Sequence, residues 1–327
     1  MPCVLNPDFC KASVVITTKN PGRIFDNVIA MVLSQKTPWD YEVIVIDSGS
    51  KDGTVEKLRL LDDKITLICI RPEEFGHGRT RNLGVTHAQG DYVAFLTHDA
   101  VPATSEWLSE LVTALELDVT ACAAFGRHIA HNDADPFTKR DLQAHFDFLG
   151  STTTVQSKFS DHILYDTQIR HRQFLHFYSD NNSCLRKSVW KVYPYPDAEF
   201  AEDQIWAATV IDAGFSRVYA HSAVVKHSHD YSSIGTFRRA FDESAAFQRI
   251  FGYSLCASLV RGMLSAASCC MHDMQYALIN KLPLRRVISR IIRNILRSFG
   301  HYLGAKIDQI PTSVAMQLSL DKKLYRS

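Results

Sequence analysis

The chain is predicted to be an α/β protein, a mostly parallel sheet flanked by helices and followed by a helical C-terminal extension. Three observations predict it. Short strand-like runs alternate with amphipathic helical segments from Ser13 to about Leu115. The runs are continuously apolar, as in Val43-Ile44-Val45-Ile46, which suits strands covered by helices on both faces. Beyond about Ser232 the pattern is nearly all helical. The expected division is 1–231 for the sheet domain and 232–327 for the helical extension.

Taken in order, Ser13 to Thr18 reads as a buried strand, and Ile24, Phe25, Val28, Ile29, Val32 and Leu33 then recur at helical spacing. The unit repeats as a strand from Tyr41 to Asp47, a helix from Thr54 to Leu61, and a strand from Ile65 to Ile70. A glycine-containing loop, a helix from about Thr80 to Ala88 and a strand from Tyr92 to Thr97 follow. Trp107, Leu108, Leu111, Val112 and Leu115 mark one more amphipathic helix. From about Ala130 to Phe174 the pattern becomes irregular and polar, which predicts a mobile or substrate-facing insertion. Regular structure is expected again at Arg186 to Val192, in a helix from Asp203 to Ala213, and in a strand pair at Phe215 to Tyr219 and Ala223 to Lys226.

With 327 residues, 46% of them hydrophobic, the chain can bury a sizeable core. A formal net charge of +1 argues against a general nucleic-acid-binding surface, which needs a local excess of Lys and Arg. Met1 to Lys11 has no basic start followed by an apolar stretch, so a cytoplasmic protein is expected. The eight cysteines, Cys3 among them, show no zinc-type pairing and read as reduced, structural thiols. No segment has the roughly 18 to 20 uninterrupted apolar residues that would span a bilayer.

Chemistry is expected where strands end. In open α/β sheets ligands bind beyond the carboxyl ends of the strands. Asp47-Ser48-Gly49-Ser50-Lys51-Asp52-Gly53-Thr54 follows one strand directly: either Asp47 offers an acceptor to a base or a ribose hydroxyl, or the segment is a plain strand-to-helix turn with Asp52 or Thr54 near the helix N-terminus. The Tyr92–Thr97 run ends in His98 and Asp99, a carboxylate that either projects toward a cleft or merely begins a turn before Pro102. Phe75-Gly76-His77-Gly78-Arg79-Thr80-Arg81-Asn82 opens a helix with two glycines and two arginines, either an anion site or a solvated basic turn. Glu202 and Asp203 precede an apolar helix, where one carboxylate can cap while the other acts as a general base. His221, His227 and His229 cluster near the end of the last expected strand, and one of them can join Asp99 around a divalent cation.

In this order the segments resemble a family 2 glycosyltransferase of GT-A fold, over roughly residues 12 to 230. The combination of Glu74-Phe75-Gly76-His77-Gly78-Arg79-Thr80-Arg81-Asn82-Leu83-Gly84 with Phe95-Leu96-Thr97-His98-Asp99-Ala100 is most similar to bacterial rhamnosyltransferases of polysaccharide assembly. The resemblance implies dTDP-L-rhamnose as donor and a glycan or lipid-linked glycan as acceptor. It also implies donor contacts from Thr17, Asp47, Arg81, His98 and Asp99, with Arg81 near the diphosphate. Asp203 would be the catalytic base, Asn181, Asn182 and Glu202 the acceptor side, and Asp99 and His227 the ligands of Mg²⁺ or Mn²⁺. Thr97 stands where the family's metal motif has its first acid, so weak cation binding is expected. A UDP-hexose donor is the alternative within the class, and a catalytically silent membrane-recruiting scaffold the alternative outside it. A nicotinamide oxidoreductase is disfavoured because Thr18-Lys19-Asn20-Pro21-Gly22-Arg23 lacks the Gly-x-Gly-x-x-Gly turn.

Residues 281–299 carry six Lys or Arg and no acid, with Leu284, Val287, Ile288, Ile291, Ile295 and Phe299 at helical spacing. The segment reads as a helix lying on an anionic membrane surface, which would make the protein peripheral on the inner face of the cell membrane. Packing of the stripe on the catalytic domain or on a second subunit is the alternative.

Overall fold

The computed structural model describes residues 10–325. Cys3 and most of the segment read for targeting lie outside them. Four strands, β1 (Cys10–Thr18), β2 (Asp40–Asp47), β3 (Thr66–Cys69) and β4 (Tyr92–Thr97), alternate with helices α1 (Ile24–Leu33), α2 (Thr54–Arg59) and α3 (His77–His87). They pair in parallel in the order β3-β2-β1-β4. Val14 and Ile16 face one apolar core with Val28, Leu108 and Leu111, while Val15 faces a second with Val85, Phe95 and Trp206. Period-two alternation with both faces covered accounts for the unbroken apolar runs.

The rest of the sheet comprises β5 (Val101–Pro102), β6 (Ala121–Ile129), β7 (Thr154–Gln156), β8 (Asn182–Arg186) and β9 (Ser216–Lys226). The order continues β4-β8-β6-β9-β5, with β7 added to β9. β8 runs antiparallel to β4 and β6, whereas β6 and β9 are parallel. The helices between are α4 (Trp107–Glu116), α5 (Pro136–Leu149), α6 (His162–Thr167), α7 (Ile169–His176), α8 (Lys187–Trp190) and α9 (Glu202–Asp212).

Two expectations need correction. Residues 130–174, read as irregular, contain α5, β7, α6 and most of α7, because Leu142, Phe146 and Leu149 recur at helical intervals among many charged residues and bury against the sheet. The expected strand pair at 215–226 is the single strand β9. Its register against β6 jumps between Gly126 and Arg127, so residues 221–223 have no partner there and only seem to break the strand.

The chain folds as two compact units. One comprises the residues up to Ala134 with Lys139–Ser228, and the other Asp135–Thr138 with the chain from His229 onward. The second unit holds α10 (Ser233–Phe251), α11 (Leu259–Ile279), α12 (Leu284–Gly304) and α13 (Thr312–Leu318). Helices α10 and α12 meet backbone to backbone: a Cβ on Gly300 would lie 2.5 Å from the Phe237 carbonyl oxygen, and one on Gly304 2.3 Å from that of Phe241. Between α11 and α12, the Asp273 carboxylate accepts from Arg290 Nε at 2.7 Å and from Asn294 Nδ2 at 2.6 Å. Among the described residues no helix is long and apolar enough to cross a membrane.

Candidate active site

The sheet register gathers the expected residues at one edge. Thr17 pairs with Ile46 of β2 and with Thr97 of β4, so Thr17, Asp47 and the His98-Asp99 turn leave three adjacent parallel strands at the same end. Because β8 is antiparallel and Leu96 pairs with Asn182, residues 180 and 181 enter at that end too. β9 exits there as well, and the His227 amide donates to the Ile129 carbonyl at 2.9 Å.

Asp47 is buried, and its carboxylate builds its own turn. Oδ1 accepts the N–H groups of Gly49 (2.9 Å) and Ser50 (2.8 Å), and the Ser50 hydroxyl bonds Oδ2. An acid followed by Ser-Gly-Ser at a strand end closes such an Asx turn readily, and Gly49 takes the positive φ of 91° that it requires. The loop is tied to the end of β1 by the Lys51 N–H to Asn20 Oδ1 bond of 2.7 Å. Further along the loop Asp52 Oδ1 accepts the Thr54 amide at 3.2 Å, so the segment is also the strand-to-helix turn of the second sequence reading.

Beyond β4, Asp99 Oδ2 lies 3.6 Å from His227 Nε2. A carboxylate oxygen and an imidazole nitrogen converging this way form a donor set for a divalent cation. Two residues before Asp99, at the end of β4, the buried Thr97 hydroxyl has no hydrogen-bond partner among the described residues. His128 packs edge-on to the His227 ring at 5.4 Å, and burial followed by the neighbouring histidines pushes its pKa well below the ordinary value. His98 is likewise shifted down by burial, with Asp99 opposing. His221 is in β9 and His229 begins the second unit.

The most heavily charged cluster differs from expectation. Arg81, predicted near a diphosphate, is buried in the first turns of α3, with Nε 3.0 Å from Asp180 Oδ2 and Nη1 bonded to Glu202. Its guanidinium is engaged by protein carboxylates, because a buried cation must be paired. Burial works against its charge, yet Glu202 and Asp180 overrule it and hold the proton more firmly than usual. Asp180 also accepts from the Ser183 hydroxyl at 2.7 Å and the Tyr195 hydroxyl at 2.9 Å. Glu202, expected on the acceptor side, is therefore Arg81's partner.

Asn182 corrects a second expectation. Fully buried in β8, its oxygen accepts from Trp107 Nε1 at 2.7 Å, and its amide donates to the Ala223 and Arg127 carbonyls at 2.8 and 3.1 Å. It crosslinks three segments inside the sheet domain, with both amide hydrogens used and no exposed surface to offer an acceptor sugar. Asn181 is half-buried at the same sheet end.

Asp203 is half-buried in the first turn of α9, whose N-cap Ala201 takes a left-handed φ of 55°. That conformation is costly for a residue with a Cβ and is typical of functional sites. Burial, then the charges of Glu202 and Asp180, push the Asp203 carboxyl well above the usual range, while Arg81 opposes. A carboxylate raised this way is a stronger base than a solvated one. The approach to α9 is fixed by close packing: a Cβ on Gly78 would come 1.9 Å from the Pro196 carbonyl oxygen, so only glycine fits there.

Sequence reasoning did not find Asp180. Its signal is an acid directly before Asn181-Asn182-Ser183, in a chain where the buried Arg81 needs more than one counter-charge.

A parallel half-sheet with loops and acids gathered at its carboxyl edge, extended by antiparallel strands, is the architecture of the GT-A glycosyltransferases. Comparison with known proteins gives the family. The description "Glycosyl transferase family 2" matches residues 13–191, and the chain belongs to that family. It is 31% identical over 330 residues to the O-antigen chain rhamnosyltransferase RfbN of Salmonella typhimurium, covering 97% of this chain and 96% of the relative. It is also 31% identical over 328 residues to the O-antigen chain rhamnosyltransferase WbaN of Salmonella anatum, covering 96% of each. Among solved structures, the mannosyltransferase PcManGT from Pyrobaculum calidifontis, in complex with GDP-Man and Mn²⁺, superposes with a TM-score of 0.56 at 15% identity, covering 90% of this chain and 87% of that one. The protein is thus a glycosyltransferase whose homologues are O-antigen rhamnosyltransferases.

Proposed function

We propose that the protein transfers L-rhamnose from dTDP-L-rhamnose to a lipid-linked glycan, with inversion at the anomeric carbon, at the cytoplasmic face of the cell membrane. The observation that carries the donor and pathway is the likeness to two O-antigen rhamnosyltransferases along nearly the whole chain. In this reading residues 1–231 form the catalytic domain. Asp203 takes the proton from the attacking acceptor hydroxyl, and its raised proton affinity suits the task. The donor nucleoside lies against the strand ends at Thr17 and the loop closed by Asp47, beside His98 and Asp99, while Asn181 borders the acceptor side. Arg81 acts indirectly, as the fixed counter-charge of the Glu202 and Asp180 carboxylates beside the base.

Asp99 and His227 would hold Mg²⁺ or Mn²⁺, with Thr97 adding a hydroxyl in place of a carboxylate. A cation there supplies charge stabilisation for a departing diphosphate. A single displacement needs one base, because the nucleoside diphosphate is already a good leaving group.

The test is transfer or donor hydrolysis by the purified protein with dTDP-rhamnose, UDP-glucose, UDP-galactose and UDP-N-acetylglucosamine, with and without Mg²⁺ or Mn²⁺. The expected result is turnover of dTDP-rhamnose alone, lost in Asp203→Asn. Turnover of a UDP-sugar alone overturns the donor, and full activity of the variant overturns the base.

A further inference from the structure

Helices α11 and α12 are packed inside out. A helix of a globular protein ordinarily turns its apolar stripe inward. Here the buried positions of α12 are Arg290, Asn294, Gly300 and Gly304, and those of α11 are Gly262, Ala266, Asp273 and Ala277. Facing solvent instead are Leu284, Ile288, Ile295 and Phe299 of α12 and Val260, Met263, Leu264 and Met271 of α11. At the turn joining the helices, Leu278 is 78%, Ile279 80% and Leu284 71% exposed. The outward residues include most of the apolar stripe of 281–299, and they continue onto α11. An apolar groove of about 400 Å³ runs between the helices, lined by Met263, Ala266, Cys270, Ile295 and Phe299. Contiguous exposed hydrocarbon on this scale marks an interaction surface.

Charge selects the occupant. From Ser254 to Gly304 the chain has seven Lys or Arg and a single acid, Asp273. That acid is already neutralised by Arg290. Lys281, Arg285 and Arg286 are exposed at the turn, beside Leu278, Ile279 and Leu284. A second copy docked about a two-fold axis near the turn would set these cations against their equivalents with no acid to separate them. An anionic bilayer offers both things the surface lacks, phosphate charge and hydrocarbon.

We infer that the α11–α12 hairpin is a bilayer-seating element: its outward apolar faces lie at the acyl boundary, and Lys281, Arg285 and Arg286 meet lipid phosphates. Neither helix crosses the membrane. The inference deepens the proposed function and rests on it for the place of action, since it would hold the enzyme where a lipid-linked acceptor lies.

Flotation of the full-length protein with vesicles tests it, comparing phosphatidylcholine alone with equal parts phosphatidylcholine and phosphatidylglycerol, at low and high salt. Two variants are compared, Leu278→Glu/Leu284→Glu and Arg285→Glu/Arg286→Glu, all at exposed positions, with unfolding midpoints measured to show that they fold. The expected result is binding to the anionic vesicles, weakened by salt and reduced at least about tenfold in each variant. Absence of wild-type binding overturns the inference, as does binding unchanged in both variants. A concentration-dependent dimer abolished by Leu278→Glu/Leu284→Glu, without vesicle binding, overturns it in favour of a second copy. Flotation uses neither donor nor acceptor, so its failure is distinct from a failure of rhamnosyl transfer.

Discussion

Arg81 in the first unit and Arg290 in the second are both buried against carboxylates, and the two keep different company. Arg290 faces one carboxylate, Asp273, which also accepts from the neutral Asn294, so the set balances. Arg81 faces two, Asp180 and Glu202, with Asp203 as a further acid within their field. One cluster is electrically complete and fastens two helices together. The other carries surplus negative charge, and the surplus adds to burial in raising the proton affinity of Asp203. A buried ion pair by itself says little about function, whereas an unbalanced one beside a strained helix start does.

Removing the cations separates the two clusters most sharply. Arg81→Met leaves two buried carboxylates facing each other and is expected to cost about 5 kcal/mol of stability, the upper end for breaking a buried pair. Arg290→Met leaves Asp273 still bonded to Asn294 and is expected near about 3 kcal/mol. Denaturant titration of both variants measures the difference, and equal losses would remove the distinction.

The acids come next. On the proposed reading, Asp203→Asn lowers kcat/KM by about 10²- to 10⁴-fold, the usual contribution of a general base, while Asp273→Asn leaves it unchanged in protein that remains folded. Stability moves the other way at Asp203. A carboxyl whose folded pKa is raised binds its proton more tightly in the native state, so stability is lost as pH climbs from the ordinary carboxylate range through the raised value. The asparagine variant is therefore expected to be more stable than the wild type above that window, as thermal melts at acidic and alkaline pH will show.

Smaller, but more diagnostic, is the pH profile. The base works ionised, so kcat/KM rises with pH through the Asp203 pKa, and this acidic limb is expected above the usual carboxylate range. Glu202→Gln removes the larger of the two neighbouring negative charges and moves the limb to lower pH; Asp180→Asn moves it the same way by less. A limb that stays put in both variants would detach the cluster from the base. The smallest effect is expected at the helix contact of the second unit, where Gly304→Ala sets a methyl group against the Phe241 carbonyl and costs about 1–3 kcal/mol by thermal or chemical unfolding.

The two clusters also show what local sequence can encode. Strand β4 was legible to the residue, from Tyr92 to Thr97, because a continuous apolar run bounded by Gly90-Asp91 and His98-Asp99 has few other solutions. β6 was not, since Ala121-Cys122-Ala123-Ala124 has weak strand propensity and becomes a strand only between β8 and β9. At the site, the strand-end acids were found by position in the chain, and so was the Glu202-Asp203 pair. Their partners were not: Arg81 meets Asp180 across the fold, and no periodicity records that meeting. Asn182 was placed on the acceptor side by the family resemblance, but the sheet needed its carboxamide to satisfy Trp107 and two carbonyls.

The glycine contact between α10 and α12 has a practical consequence. Gly300 and Gly304 let one backbone rest on another, and Arg290 is held by a carboxylate, so the hairpin's grip on its neighbours does not depend on hydrocarbon alone. A mild detergent competes for hydrocarbon and leaves such contacts alone. If the hairpin is seated on lipid as proposed, micelles would coat its outer face in place of the bilayer while the glycine contact and the ion pair beneath hold, and solubilisation would become a route to intact enzyme.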